Sequence, residues 1–144
     1  MGLFGKKKDK SGNGGKYSLA SFTPGEKAAL NNLLDLVMQA PIQQGLKGSA
    51  LENARCTGNY TYGQLQQVKK NVEKDSLSIE DVKAVSFVLT SGSFATEQLV
   101  QKLQKEKVGG ERLARAMILT ANAKTAKKKA EEMLKKQDSS WESF

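Results

Sequence analysis

The chain has 144 residues, 38% of them hydrophobic and 26% charged, which is typical of one soluble globular domain. It contains no histidine, and this excludes the commonest neutral-pH general base, the usual metal ligand and every histidine-dependent triad. No apolar run approaches the roughly 18 to 20 residues of a membrane span, and the lysines after Gly5 are not followed by the apolar stretch of a secretory signal. Cys56 is the single cysteine, so a reducing, cytoplasmic compartment is expected.

The net charge of +8 is divided unevenly along the chain. Residues 1–22 carry five lysines and one aspartate, whereas residues 23–96 carry seven groups of each sign. Residues 97–136 carry eleven basic and five acidic groups, and the last eight residues carry only two acids. Because a localised excess of charge forms a surface, the sequence predicts two regions that contact an anionic partner.

Three segments are predicted. Residues 1–22 are rich in glycine and lysine and form a disordered basic leader, because they bury too little to offset the entropy of ordering. Residues 23–137 form the helical domain, and residues 138–144 form a short aromatic tail. The predicted fold class is all-α: a compact bundle of about five helices with a long C-terminal helix.

The first helix is predicted to begin at Thr23, because Pro24 and Glu26 complete a capping box with proline at the first helical position. Its apolar residues recur every three or four positions, and Pro41 is expected to end it near Ala40. A short helix over 49–55 and an amphipathic helix over 61–74 follow.

Ser78 is expected to cap a third helix with Asp81 at the N3 position. A strand over 84–90 is the alternative, because Val85, Phe87 and Leu89 alternate. The sequence Ser91-Gly92-Ser93 is predicted to break the chain.

A further helix is predicted over 94–107, ended by Gly109-Gly110 and with three apolar side chains facing inward, namely Leu99, Val100 and Leu103. The last helix is predicted over 111–137 and would be the longest. One stripe of it is apolar and mostly small, which would let another helix approach closely: Leu119, Ala123, Ala126, Ala130 and Met133. The stripe is consistent with a self-association helix, whereas an ordinary solvated helix with ion pairs is the alternative.

The leader is the first candidate site. Leu3 and Phe4 are suited to the acyl boundary of an anionic membrane, and the lysines that follow are suited to its head groups. The sequence Met1-Gly2 begins an N-myristoylation signal, although Lys6 stands where serine or threonine is preferred. A solubilising leader without a partner is the alternative. The predicted membrane-binding residues are Gly2, Leu3, Phe4, Lys6, Lys7, Lys8 and Lys10.

The basic C-terminal region supports an alternative function, sequence-independent nucleic-acid binding through the phosphate backbone. No aromatic residue interrupts the basic segment 97–136, so base stacking is not expected within it. The predicted anion-binding residues are Lys102, Lys105, Lys107, Arg112, Arg115, Lys124, Lys127, Lys128 and Lys129.

Trp141 and Phe144 lie outside any apolar periodicity, so they are predicted either to dock on a partner or to pack back on the chain. No catalytic residue, metal site, cofactor or small-molecule substrate is predicted, because no nucleophile is paired with a base. A basic leader with Gly2 ahead of a compact helical body is similar in general plan to matrix-type proteins, which coat the inner face of a membrane. The leading prediction is therefore a structural protein that binds an anionic membrane peripherally and self-associates or joins a larger assembly.

Overall fold

A computed structural model describes the backbone of residues 16–142 and the side chains of residues 16–136. The all-α fold class is confirmed: the described part of the chain is 76% helical and contains five helices. These are α1 (Pro24–Gln43), α2 (Gly48–Glu52), α3 (Tyr62–Lys74), α4 (Ile79–Lys105) and α5 (Gly110–Glu142). A two-stranded antiparallel hairpin, β1 (Arg55–Thr57) and β2 (Tyr60–Thr61), lies between α2 and α3.

Three helices begin at capping boxes, which satisfy backbone N–H groups that the first turn leaves free. Thr23 caps α1 with Glu26 at N3, and Ser78 caps α4 with Asp81 at N3, as predicted from the sequence. Thr61 and Gln64 form the same motif at the start of α3. Each cap contributes about 1 kcal/mol to helix stability.

The core is built on the long α4–α5 hairpin, across which α1 packs. The predicted stripe of α5 supplies three alanines, Ala123, Ala126 and Ala130, that are completely buried against the rest of the bundle. Because this stripe is used inside the chain, it is not free to bind a second copy. The stripe therefore packs α5 against other helices of the same chain.

The packed part of the chain begins earlier than the predicted domain boundary at residue 23. The backbone of Tyr17 pairs with that of Leu77, and Leu19 and Phe22 are buried in the core. We refer to residues 17–22 as the N-terminal segment. The first 15 residues of the predicted leader lie outside the described residues.

Two residues that were expected to break helices lie within them. Pro41 is buried in the last turn of α1, which continues to Gln43 and ends where Gly45 adopts a φ of +85°. Leu46 N–H donates to the Pro41 carbonyl and Gly45 N–H to that of Ile42, the two hydrogen bonds of a Schellman motif. The proline is tolerated because α1 stops within one turn of it.

The predicted break at Ser91-Gly92-Ser93 is wrong, because α4 is continuous from Ile79 to Lys105. A Cβ atom on Gly92 would lie 2.6 Å from the Cδ1 of Leu33, so glycine allows the close crossing of α1 and α4.

The strand alternative over 84–90 is also wrong, because these residues belong to α4. Leu99 is 38% exposed rather than inward-facing, whereas Leu103 is buried as predicted.

Both ends of the α4–α5 hairpin differ from the expected boundaries. Helix α4 ends at Lys105 and is followed by Lys107 at a φ of +60°, so a lysine adopts the left-handed conformation expected of glycine. Helix α5 continues to Glu142, which makes the backbone of residues 138–142 helical rather than an irregular tail. Within the described residues, no helix has both the length and the apolar character that crossing a membrane requires.

Candidate docking sites on the α4–α5 hairpin

The predicted leader site and the aromatic terminus cannot be placed in the fold. The membrane-binding residues Gly2 to Lys10 and the terminal Phe144 lie outside the described residues, as does the side chain of Trp141. The nine predicted anion-binding residues, in contrast, are all described.

The structure separates these nine cations into two groups. The first surrounds the turn between α4 and α5 and consists of Lys102, Lys105, Lys107, Arg112 and Arg115. The second, from Lys124 to Lys129, lies nine or more residues further along α5, which corresponds to about 13 Å at 1.5 Å per residue. The nine residues therefore do not form one continuous site.

Four of the nine cations form ion pairs within the chain. Arg115 pairs with Glu111, Lys124 with Glu97, Lys127 with Glu131, and Lys129 with Glu26. The other five are Lys102, Lys105, Lys107, Arg112 and Lys128, which are exposed and form no ion pair with any described residue. Ion pairs between exposed side chains contribute little to stability. Of these four pairs, only the buried one, between Lys129 and Glu26, is therefore expected to stabilise the fold appreciably.

The buried pair joins Lys129 on α5 to Glu26 on α1. The Lys129 Nζ donates to the Glu26 carboxylate at 2.6 Å and to the backbone carbonyl of Ser21 at 2.7 Å. Burial raises the pKa of Glu26, but hydrogen bonds from Lys129, Thr125 and the backbone N–H of Thr23 outweigh it and lower the pKa to about 2. Lys129 therefore holds the N-terminal segment and α1 against α5 and is not available to a partner.

On the other flank of α5, a groove of about 590 Å³ runs between α4 and α5. We call it the α4–α5 groove. Phe94 contributes an aromatic ring that is 65% exposed. The residues that line it are Thr90, Ser93, Phe94, Glu97, Lys124, Thr125, Lys127, Lys128 and Glu131.

This combination of an aromatic ring with lysines is not visible in the basic segment 97–136 by itself. The aromatic residue comes from outside that segment and reaches the lysines only because α4 folds back along α5. A signal was present in the sequence. If α4 is one continuous helix, Phe94 falls on the face opposite its apolar residues Val85 and Leu89.

A second groove lies on the opposite side of α4, between α1 and α4, with a volume of about 340 Å³. It is predominantly apolar, and Leu36 and Leu99 form its exposed walls. No acidic or basic side chain lines it.

Residues with catalytic potential are not brought together in the described part of the chain. Burial raises the pKa of the Cys56 thiol, which disfavours the reactive thiolate. The side chains of residues 16–136 include no group of three cysteine or acidic residues placed to hold a metal ion.

Comparison with known proteins assigns neither a family nor a function to this chain. No protein family matches the chain, and neither a curated protein nor a solved structure is similar to it. The fold and the two grooves therefore define the class only as an all-α bundle with two exposed grooves.

Proposed function

We propose that this protein is a non-enzymatic assembly protein that attaches peripherally to an anionic membrane surface through its basic leader and engages protein partners through the outer faces of its helical body. The observation that supports this function is the apolar surface of the bundle. Among the described residues, seven large hydrophobic side chains are exposed: Leu36, Ile42, Phe87, Phe94, Leu99, Met117 and Ile118. Two of them, Leu36 and Leu99, share the apolar groove between α1 and α4, and a contiguous exposed apolar surface of this kind is typical of interaction sites.

The attachment of the leader to the domain supports the membrane part of the proposal. The N-terminal segment is held by backbone pairing to Leu77, by the Asp75 carboxylate and by Lys129, so the leader starts from a fixed point of the bundle. Each leader lysine contributes about 1 kcal/mol near an anionic surface, which corresponds to weak, reversible binding.

Self-association is part of the proposal only through outer faces. The alanine stripe of α5 is buried in the core, so a second copy would have to contact exposed side chains such as Leu36 or Met117. Partners in a larger assembly would use the same surfaces.

Nucleic-acid binding has less support than membrane attachment and assembly. A polyanion needs a continuous track of free cations, whereas four of the nine predicted residues are paired with carboxylates of the chain itself. The five cations that form no ion pair within the described part of the chain are divided between the α4–α5 turn and Lys128.

Co-sedimentation with vesicles tests the membrane part. The full chain should bind vesicles containing phosphatidylserine and should not bind phosphatidylcholine alone. Reversing the charge of Lys6, Lys7 and Lys8 to glutamate should abolish this binding, because it removes the basic cluster beside Leu3 and Phe4.

The matched control makes the same change of charge on the body, Lys102→Glu, Lys105→Glu and Lys107→Glu. These side chains are exposed and form no ion pair with a described residue, so the fold should be kept. If the body variant loses vesicle binding and the leader variant keeps it, the leader is not the membrane contact. The mass of the native N-terminus reports in the same material whether Gly2 is acylated.

A further inference from the structure

We infer that the α4–α5 groove binds an acidic linear segment of a partner protein, with an apolar side chain against Phe94 and a carboxylate on Lys128. This inference rests on the proposed assembly function, and it specifies both the site and the chemistry of the partner.

The aromatic ring supplies the apolar contact. Phe94 is 65% exposed although it lies in the middle of a 27-residue helix whose neighbouring residues Gly92 and Ser93 are buried. Its ring lies beside the groove between two helices, so an inserted side chain could contact the ring and the groove wall at once. Aromatic residues in such positions are enriched among the anchors of protein interfaces.

The charges in the groove favour a few carboxylates over a polyphosphate. Three lysines line it, but Lys124 and Lys127 are paired with Glu97 and Glu131. Lys128 forms no ion pair with any described residue, which leaves one free cation in the groove. A nucleic acid would bring several phosphates close to the two glutamates, whereas a peptide can place a single carboxylate on Lys128.

The hydroxyl groups in the groove are suited to a peptide backbone. Thr90 donates to the carbonyl of Ser86, and Ser93 donates to that of Thr90. Their hydrogens are therefore engaged within the helices, while each oxygen retains acceptor capacity. Peptide N–H groups are donors that match these oxygens.

Fluorescence anisotropy with the full chain tests the inference. The probe is a fluorescein-labelled peptide in which leucine and glutamate alternate, and a peptide with glutamine in place of glutamate is the matched control. Both are measured on a background in which Lys6, Lys7 and Lys8 are changed to glutamine, so that the leader neither attracts the acidic probe nor becomes an acidic segment itself. The result is then independent of whether the leader binds membranes.

The acidic peptide should bind more tightly than its glutamine counterpart. Phe94→Gln and Lys128→Glu should each weaken its binding by about tenfold, because each removes one of the two anchors. Met117→Gln and Lys105→Glu are the matched controls, since they change exposed side chains of the same kinds outside the groove, and they should leave binding unchanged.

Three results would overturn the inference: no binding of the acidic peptide, equal binding by the groove variants and the controls, or equal binding of the two peptides. A fourth is stronger binding of oligothymidine with the same dependence on Phe94 and Lys128, which would assign the groove to single-stranded nucleic acid.

Discussion

Lys128 and Lys129 are adjacent in the sequence but lie on different flanks of α5. Lys129 contacts a glutamate that is only 3% exposed, together with a backbone carbonyl of the N-terminal segment. Lys128 lines the α4–α5 groove and has no ion-pair partner among the described residues. Successive residues of a helix are turned by about 100°, so one step along the chain moves a lysine from a structural contact to an open surface.

Adjacent lysines of one helix can therefore have different roles, which depend on the groups that each side chain contacts. Lys129 joins α5 to α1 and to the N-terminal segment, so replacing Lys129 should affect folding. Lys128 lines the α4–α5 groove, so replacing Lys128 should affect the binding of a partner there.

The largest expected effect is on the Lys129 flank. Lys129→Met leaves the Glu26 carboxylate buried without its cation, and we expect the free energy of unfolding to fall by about 3 kcal/mol. Lys128→Met is the matched control and should change it by less than about 0.5 kcal/mol. Urea denaturation at neutral pH measures both. Equal losses in the two variants would show that the flanks do not differ in their contribution to stability.

The pH dependence of stability should identify the same contact. The pKa of Glu26 falls from 4.5 to about 2 on folding, so its ionised form stabilises the folded state. This contribution is complete above pH 4.5 and is lost as the pH falls toward 2. Since Lys129 is partly exposed, we expect a loss of about 2 kcal/mol rather than the full value of the shift.

Urea denaturation from pH 7 to pH 2 tests this dependence, with Glu26→Gln as the reference because its amide does not titrate. The difference between the two proteins should shrink across that range. A constant difference would mean that Glu26 keeps an ordinary pKa in the folded protein.

The sequence was sufficient to predict helices whose signals are local. Capping boxes at Thr23 and Ser78 and the apolar periods that follow them depend on residues within one or two turns. The continuous helix at Gly92 depends instead on Leu33 of another helix, which occupies the space that a side chain would need. The contribution of that contact cannot be obtained from the local sequence, where glycine is a helix breaker.

The same distinction applies to the sites. The basic character of α5 is visible in the sequence, but the division of its lysines depends on Glu26, Glu97 and Phe94, which belong to other helices. The N-terminal segment was assigned to the leader for a similar reason. Its two buried residues, Leu19 and Phe22, are too few to show a period, and their contacts are with distant parts of the chain.

The smallest expected effect concerns the second attachment of the N-terminal segment, at Asp75. Its carboxylate accepts hydrogen bonds from the Ser18 hydroxyl and the Leu19 N–H, both at 2.6 Å, and these bonds lower the pKa of Asp75. Asp75 has a φ of +57°, so glycine can replace it without backbone strain, and Asp75→Gly isolates the loss of the carboxylate. Because the site is exposed, we expect a loss of about 1 kcal/mol, confined to the segment.

Hydrogen exchange measures this local effect, with faster exchange expected at the Leu19 and Tyr17 amides and little change in α4. Lys107→Gly is the matched control, because Lys107 also has a positive φ, of +60°, but forms no ion pair with a described residue. It should leave exchange in the segment unchanged. If the Leu19 amide stays protected in Asp75→Gly, then Lys129 and the pairing with Leu77 suffice to hold the segment without the Asp75 carboxylate.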